Sequence, residues 1–309
     1  MTSNKDRAIV VSALKHAAPY IQLFKGKVFV LKVGGEVFAD RDQTNALMEQ
    51  VGILHQVGIR IVLIHGGGPQ STELASALGL ETTFVEGRRV TDGDSLAVAT
   101  MVLNGQINTR ILATCRDLQI PAVGISGLDA GLIQAHRRPP VARAGAEPVD
   151  YGFVGDIEAV NADILQKQLD NGLMPVVSPL SCDSSGTVLN INADTVAAAI
   201  AAELDAEKLI LATGAAGVLE DVNDPLSLIS YIDLAALRKL KEQGKIADGM
   251  LPKAAAIDAA IRNGVSRVHI ISYKLPDSLL LEVFTNEGTG TLVVDDIAAL
   301  TKAEQGGPE

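Results

Sequence analysis

The sequence predicts an α/β protein built on a central, mostly parallel sheet. Short apolar runs rich in Val, Ile and Leu recur along the chain, longer stretches of helical periodicity separate most of them, and glycine-rich turns close two of the runs. Such alternation is what βαβ units require, because a parallel strand is reached by a crossover that a helix normally supplies.

The elements follow in chain order. DRAIVVSALKHAAPYIQLF, from Asp6, sets Ile9, Ala13 and Tyr20 at helical spacing. This helix either covers an edge of the sheet or reaches out as an arm to another subunit. Strands are expected at KVFVLKV from Lys27, RIVLIH from Arg60, IPAVGI from Ile120, LMPVVS from Leu173, KLILAT from Lys208 and RVHIIS from Arg267. Two stretches break the alternation, RRPPVARAGAEPVDYGFVGDIEAV from Arg137 and LSCDSSGTVLNI from Leu180. Their Pro and Gly punctuation around short extended runs reads as hairpin insertions. An alanine-rich helix ends near Asp205, where a second set of strands begins, so the chain divides into two closely packed lobes, 1–205 and 206–309. The tail KAEQGGPE is expected to be disordered.

A chain of 309 residues, 47% hydrophobic and 20% charged, can bury a large core. No run reaches the roughly 20 apolar residues of a membrane span, and the polar start MTSNKDR leads into no signal-like core. A cytoplasmic location is the expectation. The net charge of −11 argues against nucleic acid and against membrane as partners, since both select basic surfaces. A small anion would have to be met by local cations and backbone amides. Cys115 and Cys182 stand far apart without metal-ligand spacing and read as reduced thiols, so no metal site is assigned.

In VLIHGGGPQSTELASAL a strand meets a helix through Gly66, Gly67 and Gly68. Bare backbone lets N–H groups approach a ligand at a helix N-terminus, where phosphate is the natural guest. The stretch is neither a P-loop nor GxGxxG. HGGG also serves α/β-hydrolases as an oxyanion hole, but their GxSxG elbow is missing, since GISGL from Gly124 lacks the closing glycine. A second turn, Gly34-Gly35, ends the first strand just after Lys32. Such a lysine either snorkels to solvent or answers an anion, and two glycine turns at strand ends, where open α/β sheets bind ligands, favour the second. Lys253, behind Pro252 at the start of a helical run, opposes the helix dipole and calls for an anionic neighbour. Asn190, Asn192 and Asp194 crowd the entry to the alanine-rich helix, and capping accounts for only one of them.

KVGG, HGGGP, NINAD and DGMLPK, in this order, resemble the amino acid kinase family. FVEGRRVTD, YGFVGDIEAVNADIL, GLMPVVSPL and LLLEVFTNEGTGT extend the match over nearly the whole chain, toward the branch that acts on N-acetyl-L-glutamate. The resemblance implies a three-layer αβα sandwich with the acyl-amino acid in the N-terminal lobe, ATP with Mg²⁺ in the C-terminal lobe, and phosphoryl transfer between them. By motif position, Lys32 and Lys253 stabilise the transferring group and Asp194 orients them. Gly34, Gly35, Gly67 and Gly68 donate backbone hydrogen bonds, Arg89 and Asn190 hold the substrate, and Thr213 and Gly217 contact the nucleotide. Also implied are a homo-oligomer, either a dimer or a hexamer built as a trimer of dimers through the N-terminal helix, and arginine inhibition at Tyr20, Glu282 and Gly288. A PII-type signalling protein is a further partner the resemblance raises. The chemistry agrees with the residues: a side-chain carboxylate, ordinary pKa ~4.3, is already ionised at neutral pH and attacks without a general base. His65 is accordingly given a structural role at its strand end.

Departures from the family pattern gather on the nucleotide and effector regions. Gly214 stands where an Asp is usual, Glu36 where Asn is common, Leu128 in place of Lys and Asp277 in place of His. A kinase for a related acyl-amino acid and a non-catalytic arginine or nitrogen sensor are the competing readings.

Overall fold

The computed structural model describes residues 4–300 except 86, 144, 222, 223, 225, 247 and 287. The tail KAEQGGPE lies outside the described residues. All the expected strands form and join one eight-stranded sheet, in the order Tyr231–Asp233, Thr291–Val294, Val268–Ser272, Lys208–Thr213, Val28–Val33, Arg60–His65, Met174–Ser178, Ala122–Ser126. Every neighbouring pair is parallel except Val268–Ser272 with Thr291–Val294. The two strands that the sequence reading missed, Tyr231–Asp233 and Thr291–Val294, have only 3 and 4 residues, too few for a pattern to show.

Alternation along the strands explains the layers. Val28, Val30, Val62, Ile64, Leu209 and Leu211 face one core, which helices Asp163–Asp170, Ala193–Glu203, Leu234–Glu242 and Leu251–Arg262 cover. Phe29, Leu31, Ile61, Leu63 and Ile210 face the other, beneath Arg41–Gln56, Gly68–Ala77, Ser278–Phe284 and the long helical run from Gly93. Strands buried on both faces read as continuous apolar runs, which is why they stood out in the sequence.

Both insertions contain hairpins. Leu180–Cys182 pairs antiparallel with Val188–Asn190, and Val141–Arg143 with Ala146–Val149. The first joins Ile133–Arg137 and Gly155–Val160 in a separate four-stranded sheet beside the mouth of the main one. The main sheet crosses the expected lobe boundary, since Val28–Val33 lies between Arg60–His65 and Lys208–Thr213. Among the described residues, helix Asn4–Phe24 packs on the core through its end, by Phe24 and Tyr20. Ile9 and Leu14 are 66% and 62% exposed, so covering a sheet edge describes its last turn alone.

Candidate active site

A cleft of about 630 Å³ opens at the C-terminal ends of Val28–Val33, Arg60–His65 and Lys208–Thr213. Lys32, Asp194, Lys253, Glu36, both glycine turns, Arg89 and Asn190 all line it. Lys32 points from the penultimate position of its strand into this space, and its Nζ lies 2.8 Å from Asp194 Oδ1, both side chains being 7% exposed. The approach is an ion pair without hydrogen-bond alignment, which leaves Asp194 Oδ1 buried with no hydrogen bond. Asn192 is the residue that caps helix Ala193–Glu203, accepting from Asp194 N at 2.8 Å and Thr195 N at 3.2 Å. This frees Asp194 for Lys32 and Asn190 for the cleft.

The glycine turns need glycine for different reasons. A Cβ on Gly35 would stand 2.8 Å from Gly67 Cα, so the two turns touch backbone to backbone. A Cβ on Gly67 would meet Ile107 Cδ1 at 2.6 Å and Leu103 Cδ2 at 2.7 Å, whereas Gly68 faces open space. Gln70 Nε2 ties the turns together by donating to Gly35 O at 2.5 Å. Gly67 caps helix Gly68–Ala77 with no side-chain hydrogen bond and Pro69 follows, so the first N–H groups of this helix are left for a ligand. Gly34 differs, because its N–H is directed at Ala212 O at 3.4 Å.

Lys253 lies in the first turn of helix Leu251–Arg262 and donates to Gly249 O at 3.1 Å. Burial lowers its pKa most, the charge of Asp194 raises it, Lys32 lowers it and Glu36 raises it. The anionic neighbours that its position calls for are therefore Asp194 and Glu36. On the substrate side, Arg89 donates to Thr72 Oγ1 at 2.6 Å, Gly68 O at 3.0 Å and Thr82 Oγ1 at 3.3 Å, with its guanidinium 4.9 Å from the centre of the Phe84 ring. Asn190 Nδ2 donates to Thr91 Oγ1 at 3.4 Å. Arg138, which the sequence reading missed, also lines the cleft and is held by Asp156 through Nε at 3.0 Å. Its signal was slight, an arginine fixed in extended backbone by the two prolines that follow it.

Of the nucleotide candidates, Thr213 and Gly214 line the cleft and Gly217 does not. Thr213 Oγ1 closes its own turn, accepting from Ala215 N and donating to Ala215 O, both at 3.0 Å. A Cβ on Gly217 would stand 2.7 Å from Leu228 Cδ1 and would strike Thr291, so packing alone demands glycine there. Leu128 packs on Ala99, Leu103 and Leu180.

His65 is buried at its strand end. Its Nδ1–H donates to Gly66 O at 3.1 Å and its Nε2 accepts from Asn108 Nδ2 at 3.3 Å, which fixes a neutral ring, and burial lowers its pKa to about 4. Away from the cleft, Tyr20, Glu282 and Gly288 share one corner. Tyr20 Oη donates to Asn286 Oδ1, and Glu282 accepts from His269 Nδ1 at 2.6 Å and Thr289 N at 2.7 Å. A Cβ on Gly288, at φ +60°, would stand 2.8 Å from Glu282 Oε2. Lys208 Nζ donates to His269 Nε2 at 3.1 Å and lies 5.0 Å from the centre of the Phe24 ring. A neutral imidazole thus bridges a buried ammonium and a carboxylate. Burial also lowers the pKa of His269 to about 4. Asp277 begins helix Ser278–Phe284 in the left-handed region, φ 56°, and its side chain caps nothing.

These histidines set an acid limit. Unfolded, both titrate near ~6.5, so between there and about 4 the unfolded chain binds more protons than the folded one. Stability is at its plateau above that window, falls as pH drops through it by up to ~1.4 kcal/mol per pH unit for each histidine, and levels off below. Urea unfolding at pH 7 and pH 5 reads the slope, which His65→Gln makes shallower. Equal stability at both pH values in the unsubstituted protein would rule the account out.

The sequence model of the amino acid kinase family matches residues 27–272. The chain is 47% identical to the acetylglutamate kinase of Myxococcus xanthus over 93% of its own length and 95% of that protein's. It is 44% identical to the acetylglutamate kinase of Symbiobacterium thermophilum, over 94% and 98% of the two chains. Among solved structures, the N-acetylglutamate synthase of Neisseria gonorrhoeae, complexed with coenzyme A and N-acetyl-glutamate, superposes with a TM-score of 0.80 at 29% identity. That match covers 93% of this chain but only 63% of the synthase. An isopentenyl phosphate kinase, at 20% identity and a TM-score of 0.61, shares the fold. The family match spans the strands and turns that build the cleft, and the chain belongs to the amino acid kinase family.

Proposed function

We propose that this chain transfers the γ-phosphoryl group of ATP to the side-chain carboxylate of N-acetyl-L-glutamate, giving N-acetyl-L-glutamyl 5-phosphate and ADP in arginine biosynthesis. The observation that carries the reading is the convergence of Lys32 and Lys253, with two facing glycine turns, on one cleft. A carboxylate oxygen forms the new bond to phosphorus, the bond to the bridging oxygen of ADP breaks, and its electron pair leaves with ADP. No proton moves, so no acid or base is needed. The barrier lies instead in bringing an anion to a polyphosphate, which fixed cations and amide donors lower.

Lys32, oriented by Asp194, and Lys253 meet the charge of the transferring group. Amides of Gly35, Gly67 and Gly68 add donors, Arg89 and Asn190 hold the acyl-amino acid, and Thr213 with Gly214 borders the nucleotide. The 1–205 part thus supplies the substrate side and the 206–309 part the nucleotide side. Oxygen donors with one accessible carboxylate suit a hard divalent ion such as Mg²⁺, which neutralises phosphate charge when bound.

Hydroxylamine trapping tests the reaction. Protein with N-acetyl-L-glutamate and MgATP is expected to give a substrate-dependent hydroxamate that Lys253→Ala abolishes. No hydroxamate from folded, unsubstituted protein overturns the reading for this substrate pair. We also infer that arginine inhibits at the corner of Tyr20, Glu282 and Gly288, and that the exposed apolar side of Asn4–Phe24 joins dimers into hexamers. Run with L-arginine, the same assay is expected to lose signal in the unsubstituted protein and keep it in Glu282→Gln. Light scattering that finds only dimers contradicts the hexamer.

A further inference from the structure

The charged groups around the phosphoryl-transfer space are matched to different degrees. Lys32 is paired with Asp194 at 2.8 Å, and Lys253 lies in the fields of Asp194 and Glu36. Two lysines thus face two carboxylates. Of the arginines that line the cleft, Arg138 is paired with Asp156, Arg89 keeps its charge while donating to Gly68 O and two threonines, and Arg88 is exposed. A polyphosphate and a carboxylate nucleophile add several negative charges here, and a divalent cation that arrives with the nucleotide offsets part of them.

Glu36 is placed to receive such a cation. It opens the short helical turn Gly35–Ala39 that follows the first strand, and it lines the cleft. Its side chain folds back over the glycine turn, Oε2 taking the place where a Cβ on Gly34 would stand. It is exposed, and among the described residues it has no hydrogen bond and no ion pair. Its charge raises the pKa of Lys253, where burial dominates, and, second to burial, that of Tyr273. Asp194, the other carboxylate, is buried and holds Lys32 through Oδ1.

We propose that Glu36 is an oxygen ligand of the divalent cation that accompanies the nucleotide. The proposal rests on the kinase reading. A small hard cation is commonly held by one or two carboxylates together with phosphate oxygens and water, and a single free carboxylate beside a phosphate-binding turn meets that description. The competing role is that of a counter-ion for Lys253, which needs no metal.

ADP binding separates the two. Calorimetry with the full chain, once with EDTA and once with Mn²⁺, is compared for the unsubstituted protein and Glu36→Gln, with electron paramagnetic resonance counting bound Mn²⁺. Loss of the carboxylate removes like-charge repulsion, so Glu36→Gln is expected to bind metal-free ADP several-fold more tightly. It is also expected to hold Mn²⁺ in the ADP complex about 10-fold more weakly. Thermal melts check that the exposed substitution leaves the fold intact. Unchanged Mn²⁺ affinity, or tighter binding of ADP both with and without Mn²⁺, overturns the ligand role and leaves Glu36 as a counter-ion. Unsubstituted protein that binds ADP under neither condition removes the kinase reading itself and this inference with it.

Discussion

Lys32→Met is expected to lower kcat by about 10³-fold or more and, in the same step, to destabilise the fold by about 3 kcal/mol. The first effect follows from losing a cation fixed where charge gathers in phosphoryl transfer. The second follows from burial: Asp194 is 7% exposed at its side chain, its Oδ1 has no hydrogen bond, and Lys32 is its ion-pair partner. Removing one member of such a pair leaves an uncompensated charge in low dielectric, which costs more than the pair itself contributes. The double variant Lys32→Met with Asp194→Asn, which removes both charges, should recover most of the stability and none of the activity. Urea melts and hydroxamate formation read the two effects separately. Lys32→Met with unchanged kcat would remove the lysine from the chemistry, and unchanged stability would mean that water reaches Asp194.

What the sequence made legible is set by contrast with surroundings. Strands such as Val28–Val33 and Lys208–Thr213 are buried on both faces and read as unbroken apolar runs, while Tyr231–Asp233 is too short to show a period. Lys32, the glycine turns and Lys253 stood out because a charge, or a missing side chain, interrupts an apolar or helical pattern. The Lys208, His269 and Glu282 chain did not, since its members lie 61 and 13 positions apart and are brought together by the parallel pairing of Lys208–Thr213 with Val268–Ser272 and by helix Ser278–Phe284 packing on the latter. Gly217 shows a further limit. A glycine hemmed in by Leu228 and Thr291 looks the same in a sequence as one demanded by a nucleotide, and only the structure shows the packing. Glu36 registered only as a departure, because its meaning depends on which charges around it are already matched.

Gly35→Ala is expected to cost about 100-fold in kcat/KM, with a smaller loss of stability. The added Cβ would meet Gly67 Cα at 2.8 Å and Gly67 N at 3.0 Å, atoms of the opposite turn's backbone that cannot rotate aside. The two turns must separate, and with them the amide donors and the end of the strand that carries Lys32. A displacement on the order of 1 Å at a site that works by positioning is enough for a loss of this size. Gly68→Ala is the matched control. Nothing lies within 4 Å of its Cβ, and the residue sits in the first turn of helix Gly68–Ala77, where alanine is tolerated, so the protein should melt as the unsubstituted one does. Its kinetics then report a different quantity, whether substrate comes close enough to that amide for a methyl group to obstruct it. If Gly35→Ala keeps its kcat/KM while folding normally, the contact between the turns is not what aligns the donors. Catalysis would then rest on the lysines alone.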